Sequence, residues 1–245
     1  MGLKSKTIVL TVVRHGETDS NKTGVLQGQV NVPLSSTGQL QADRAGNHLK
    51  ECQFDCAFSS DLERAFQTAN TIIKKNKHTE STNDVKTNML IREKSFGKLE
   101  NITLSEYSKI AKNDGCQDEY QYAPEGGESP QQVRERVREF MNGLYIEAMA
   151  FENDDMWKVL LVSHAGWIRE LIGYMSEDLK CKGMPMGGRN EKGYHPFTPN
   201  TGITTFTLTL DKETEHMITS AECTLFQSLQ HLDSVPESQK LLEGI

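Results

Sequence analysis

The sequence predicts an α/β fold, a three-layer α/β/α sandwich around a mostly parallel central sheet. Three features point to it. Short, continuous, β-branched runs read as strands buried on both faces. Longer segments with helical periodicity separate them, which implies right-handed crossovers between parallel strands. Polar and glycine-bearing residues follow the strands at once, as they do where an open α/β sheet binds ligands beyond its strand ends.

The first strand is 7–13 (TIVLTVV), running into Arg14-His15-Gly16-Glu17. Residues 36–50 read as a helix starting near Ser36 or Thr37. A second strand at 54–58 (FDCAF) leads through Ser59-Ser60-Asp61, which are N-cap candidates, into a helix. That helix places Leu62, Ala65, Ala69, Ile72 and Ile73 on one face. A long helix at 130–150 is entered through Pro130, with Val133, Val137, Phe140, Met141, Leu144 and Ile146 as its apolar stripe. A third buried strand at 158–162 (KVLLV) precedes a helix at 168–175, and a fourth, alternating strand covers 203–210. Two long irregular stretches, 113–130 and 180–200, interrupt the pattern, and loops of that length in a compact domain tend to carry function. With no internal repeat and no low-complexity linker, one domain over 1–245 is expected, with a loosely ordered tail from about residue 233.

Bulk properties narrow the function classes. The 245 residues are 36% hydrophobic and 25% charged, a soluble globular composition. No apolar run approaches the ~18 residues that span a bilayer, and the first strand begins too early to leave room for a signal peptide. The five cysteines (Cys52, Cys56, Cys116, Cys181, Cys223) are scattered and never spaced C-x-x-C, which suggests free thiols and a cytoplasmic location rather than disulfides or structural zinc. A net charge of −7 argues against a nucleic-acid partner. A local basic pocket remains compatible with that total. A monomer without cofactor or metal is expected.

The residues at the strand ends carry the chemistry. Arg14, His15, Gly16 and Glu17 follow the first strand; Ser59 and Ser60 follow the second, with Arg64 one turn into its helix. Ser163, His164, Ala165 and Gly166 follow the third, and Asn200, Thr201 and Gly202 precede the fourth. Taken singly, each histidine could be a core histidine and Arg14–Glu17 a surface ion pair. Their parallel placement suggests one site. Guanidinium forks match phosphate oxygens, and Gly16 and Gly166 would let backbone approach a ligand. Helix N-termini would offer N–H groups to an anion. An imidazole beside two guanidinium groups stays neutral, hence nucleophilic. The expectation is phosphoryl transfer through a phosphohistidine, with Glu93 as the best-placed acid for the leaving oxygen and Glu100, Glu125 and Glu128, also near plausible loops, as alternatives.

These motifs, "VVRHGET" with Asn21, "LQGQVNVPLSSTG", "SSDLERAFQTA", "IREKSFGKLE", "PEGGES" and "LVSHAG", together resemble the histidine phosphatase, or phosphoglycerate-mutase-like, superfamily. The order and flanking text are most similar to its fructose-2,6-bisphosphatase-type branch. The resemblance implies that His15 is the phosphorylated nucleophile, that Arg14, Arg64 and His164 bind phosphoryl oxygens, and that Glu93 serves as acid and then base. It implies that Asn21, Gln27 and Gly28 line the substrate pocket, and Ala165 and Thr201 are expected beside them. It further implies a phosphorylated sugar substrate, fructose 2,6-bisphosphate cleaved at its 2-phosphate without metal, which would lower glycolytic flux. The chain departs from the family at Ala165, where glycine is frequent, and at Asn31, Leu99 and Asn101. None of these removes a proposed catalytic group.

The basic loop before Asn200 suggests a partner for a second phosphate, with Lys182, Arg189 and Lys192 as candidates. A phosphatase or mutase of bisphosphoglycerate is the alternative within the fold, although 97–125 lacks the arginines of a mutase insertion. Two histidines and a carboxylate could instead hold iron, but the Arg14 guanidinium would repel a cation. A non-catalytic phospholigand sensor is the third alternative.

Overall fold

The computed structural model describes residues 5–78, 84–151, 156–185, 190–191, 193–211 and 218–233. Six strands form one sheet in the order β3-β2-β4-β1-β5-β6. These are β1 (Lys6–Arg14), β2 (Cys56–Ser59), β3 (Lys86–Thr87), β4 (Met156–Ser163), β5 (Ile203–Leu210) and β6 (Ile218–Ser228). The first four are mutually parallel where they pair, whereas β5 runs antiparallel to β1, and β6 antiparallel to β5. The helices are α1 (Asp19–Lys22), α2 (Ser36–Leu49), α3 (Glu63–Lys75), α4 (Leu104–Asn113), α5 (Pro130–Ala150) and α6 (Ala165–Gly173). Among the described residues no helix is long and apolar enough to cross a membrane.

The alternation of side chains along a strand divides the core in two. Ile8, Leu10 and Val12 of β1 and Val159 and Leu161 of β4 point to the face covered by α5 and α6, where Phe140, Met141, Leu144 and Trp167 close the packing. Val13, Leu160 and Val162 point the other way, onto Ala45 and Leu49 of α2 and Ala65, Ala69 and Ile72 of α3. Burying one large side chain of this kind contributes roughly 1.5–3 kcal/mol, so the strands are held from both faces. The α5 stripe holds as far as Leu144. Ile146 does not belong to it: two residues on, it lies on the outward face, 62% exposed.

The helix starts follow local chemistry. The Ser35 hydroxyl accepts the Gly38 N–H at 3.0 Å to open α2, and Ser129 and Gln132 form a capping box around Pro130. The second strand lies at 56–59 rather than 54–58. The helix expected at 168–175 begins earlier, at Ala165, with His164 as its extended N-cap residue. Two strands, β3 and β6, and two helices, α1 and α4, escape the sequence reading. β3 has two residues, β6 pairs through bulges, and α4 opens on the capping box Thr103/Glu106. The tail after residue 233, Arg189 and Lys192 lie outside the described residues.

Candidate active site

Strand register builds the site. Arg14 of β1 pairs with Ser163 of β4, so the next residue of each strand is a histidine beyond the sheet edge. The His15 and His164 rings accordingly lie 5.0 Å apart. Ser59 sits beside Val162 at the same edge, which brings Arg64 of α3 over it. Because β5 is antiparallel, its start delivers Asn200, Thr201 and Gly202 to this edge as well.

His15 is 2% exposed. Its Nδ1 lies 2.7 Å from the Gly16 carbonyl, which can only accept, so Nδ1 carries the proton. The lone pair is therefore on Nε2. Burial, then the charges of Arg64 and Arg14, hold the ring pKa well below that of a free histidine. His164 is fully buried, its pKa lowered first by burial and then by Arg64, and neither of its ring nitrogens has a hydrogen-bond partner among the described residues. Two unsatisfied buried nitrogens beside a cationic pair call for a ligand.

The arginines are anchored by one edge and left open on another. Arg64 donates to Gly28 O at 2.8 Å and Val30 O at 2.9 Å, and Arg14 donates to Thr198 O at 2.8 Å. The Nε atom of each is buried without a partner. Burial lowers both to about 10, with the Glu93 charge opposing the shift, so both remain cationic.

Glu93 faces this cluster from the turn after a short 3-10 helix. Its Oε2 accepts Gly166 N–H at 3.1 Å, and its Oε1 accepts Trp167 N–H at 3.2 Å and Lys94 N–H at 2.8 Å. The N-terminal amides of α6 expected to be open to an anion are thus engaged by this carboxylate. Arg136 fixes the segment by donating to Leu90 O, Arg92 O and Glu93 O, and is itself clamped by both oxygens of Glu128 at 2.7 and 2.9 Å. The "PEGGES" segment therefore supplies an anchor, Glu128, directly after its second glycine.

A cavity of about 750 Å³ opens beside these groups. Arg14, His15, Asn21, Gln27, Gly28, Arg64, Glu93 and Ala165 all line it. His164 lies behind this lining, against His15. Three expectations are corrected. Gly16 does not make room for a ligand: a Cβ there would lie 2.4 Å from the Gly38 carbonyl, so glycine is required by the close approach of α2. Thr201 does not line the cavity but is fully buried, its N–H bonded to Arg14 O at 3.1 Å. Lys182 is bound by its backbone to Ala221 and Cys223 of the outer strand β6, so it flanks the sheet rather than the cavity.

Other residues occupy the remaining walls. Leu104, Tyr107 and Ser108 of α4, with Val25, Leu26 and Phe96, form one side. Arg169 of α6 also lines the cavity, its guanidinium 4.2 Å from the ring centroids of Tyr120 and Phe197 and 5.1 Å from that of Tyr194. Lys94 lines the same end, held by Tyr120 O and Tyr122 O and lowered by burial to about 8. The "T-L-S-E" capping pattern could have revealed α4. Nothing in the sequence sets Arg169 apart from a surface arginine of a helix.

A model of the histidine phosphatase superfamily (branch 1) matches residues 10–188. The chain belongs to that superfamily and is a phosphatase. It is 34% identical to fructose-2,6-bisphosphatase TIGAR B of Danio rerio over 95% of this chain and 99% of the relative. It is 33% identical to fructose-2,6-bisphosphatase TIGAR of Mus musculus over 94% and 98%. Among solved structures it resembles a mycobacterial glucosyl-3-phosphoglycerate phosphatase in complex with VO3. That match has a TM-score of 0.67 and 25% identity, covering 89% of this chain and 98% of the other. Phosphoglycerate mutase from Bacillus anthracis shares the fold, with a TM-score of 0.72 at 22% identity over 94% and 96%.

Proposed function

We propose that this phosphatase hydrolyses fructose 2,6-bisphosphate at its 2-phosphate through a phosphohistidine on His15. The observation that carries the mechanism is the Nδ1–H bond from His15 to the Gly16 carbonyl, which leaves the Nε2 lone pair as the nucleophile beside two guanidinium groups. Nε2 attacks phosphorus, the bond from phosphorus to the sugar oxygen breaks, and Glu93, a carboxylate in the free site that takes up one proton as the phosphate monoanion binds, gives that proton to the leaving oxygen. Arg14 and Arg64 neutralise the charge on the phosphoryl oxygens, and the neutral His164 ring donates one hydrogen bond to them. Glu93 then takes a proton from water, whose oxygen attacks the phosphohistidine to release inorganic phosphate and regenerate His15. No step requires a metal ion.

The substrate reading rests on the curated relatives and on a second cationic end of the cavity. Arg169 and Lys94 lie there in place of the Lys182 and Arg189 expected to receive the second phosphate. Asn21 and Gln27 also line the cavity and offer amides to a sugar. The test is a pair of steady-state assays on the Arg169→Ala variant. KM for fructose 2,6-bisphosphate should rise about ten-fold or more, the loss of one charge-assisted contact, while KM for the monoester para-nitrophenyl phosphate changes little. Lys182→Ala should alter neither. Equal effects of Arg169→Ala on both substrates would reject the bisphosphate reading. A phosphatase of this kind lowers the concentration of a sugar bisphosphate and, where that compound stimulates glycolysis, lowers glycolytic flux.

A further inference from the structure

Thr201 is a β-branched residue in the left-handed region, with φ 55°. Few threonines adopt this conformation without support from their surroundings. Here it places the Thr201 N–H against Arg14 O at 3.1 Å and His15 O at 3.4 Å, while the neighbouring Asn200 side chain donates to His15 O at 3.0 Å. The backbone that carries Arg14 and His15 is thus held by residues that do not line the cavity.

The support comes from another element. The Thr201 hydroxyl donates to Asn200 O at 2.8 Å, which uses its only hydrogen. The imidazole Nε2 of His231, 2.9 Å from the same oxygen, must then be the donor. His231 is 8% exposed, on the 3-10 turn Gln230–Leu232 that follows β6, and its Nδ1 has no partner among the described residues. Its ring lies 5.9 Å from that of His48 on α2. Burial, followed by the charges of His48 and Arg44 against an opposing Asp233, holds it at about 4, so it is neutral at physiological pH.

We infer that His231 is a positioning residue for the phosphoryl-transfer step: its Nε2–H locks the left-handed Thr201, and Thr201 fixes the Arg14–His15 backbone so that His15 Nε2 meets the phosphorus. His231 lies outside the cavity and touches no substrate. The inference rests on His15 being the nucleophile, which loss of turnover in His15→Ala establishes separately.

The test is a double-mutant cycle with para-nitrophenyl phosphate, reading kcat per folded molecule, with thermal melts alongside. His231→Leu should lower kcat about ten-fold, because sub-ångström misplacement of a reacting group is costly. His231→Gln, whose amide can still donate, should recover most of it. Glycine adopts positive φ without strain, so in a Thr201→Gly background His231→Leu should have no further effect on kcat. An equal loss in both backgrounds, or wild-type kcat in His231→Leu with only a lower Tm, would overturn the inference. If His231→Leu does not fold, His231→Asn, too short to reach the hydroxyl, replaces it in the cycle with the same two outcomes.

Discussion

Acidification should destabilise this fold well above the pH at which its carboxylates titrate. His15, His164 and His231 are 2%, 0% and 8% exposed, and each is held neutral, the first two well below the ordinary value and the third at about 4. In the unfolded chain all three titrate near 6.5. A depressed folded pKa means that the unfolded state binds more protons below that value, so stability is full above it and is lost as the pH falls. Between about pH 7.5 and pH 5.5 each such histidine costs about 1.4 kcal/mol, and the three together about 4 kcal/mol. That is a large share of a typical stability of about 5–15 kcal/mol. Carboxylates lowered by ion pairs, such as Asp61 with Arg92, add to the loss only at lower pH. Urea denaturation at the two pH values reads this directly, and the midpoint should fall by roughly 1–2 M for a chain of this size. His164→Gln removes one titrating group and should shrink the difference by about a third. Equal midpoints at the two pH values, or an unchanged difference in His164→Gln, would refute the electrostatic picture of the site.

Two other substitutions probe the same cluster. Arg64→Lys keeps the charge but loses the planar fork that sets Nη1 and Nη2 on Val30 O and Gly28 O while Nε faces away from them. A ten- to hundred-fold fall in kcat/KM is expected, about 1.5–3 kcal/mol for a charge-assisted hydrogen bond; a change under about three-fold would contradict the role given to its fork. Gly16→Ala places a methyl 2.4 Å from the Gly38 carbonyl, so backbone must shift. It should lose about 1–3 kcal/mol or more in denaturant titrations, whereas Gly143→Ala, where a Cβ meets nothing within 4 Å, should not.

The sheet and the phosphate end of the site were legible because strand, turn and helix signals fall in step there. A β-branched run followed by Arg-His-Gly and a second followed by Ser-His-Ala-Gly can meet only if the strands adjoin, and their register makes them do so. The far end was not legible. Tyr120, Tyr194 and Phe197 come from stretches without periodicity, and only folding brings them onto Arg169. A count of basic residues in the 180–200 loop pointed to Lys182, but its backbone is committed to pairing with β6. At Gly16 the sequence suggests a glycine that serves the ligand, while the tight contact is between α2 and the turn after β1. Likewise, the α6 amides looked like an anion site, and an anion of the chain itself, Glu93, occupies them.

The central claim is that His15 becomes phosphorylated during turnover. The direct measurement is to mix the protein with fructose 2,6-bisphosphate in excess chelator, quench in alkali, and map phosphate by mass spectrometry. The account predicts phosphate on the peptide bearing His15, and none in His15→Ala. Turnover that persists in His15→Ala, or that proceeds with phosphate on no histidine, would contradict it.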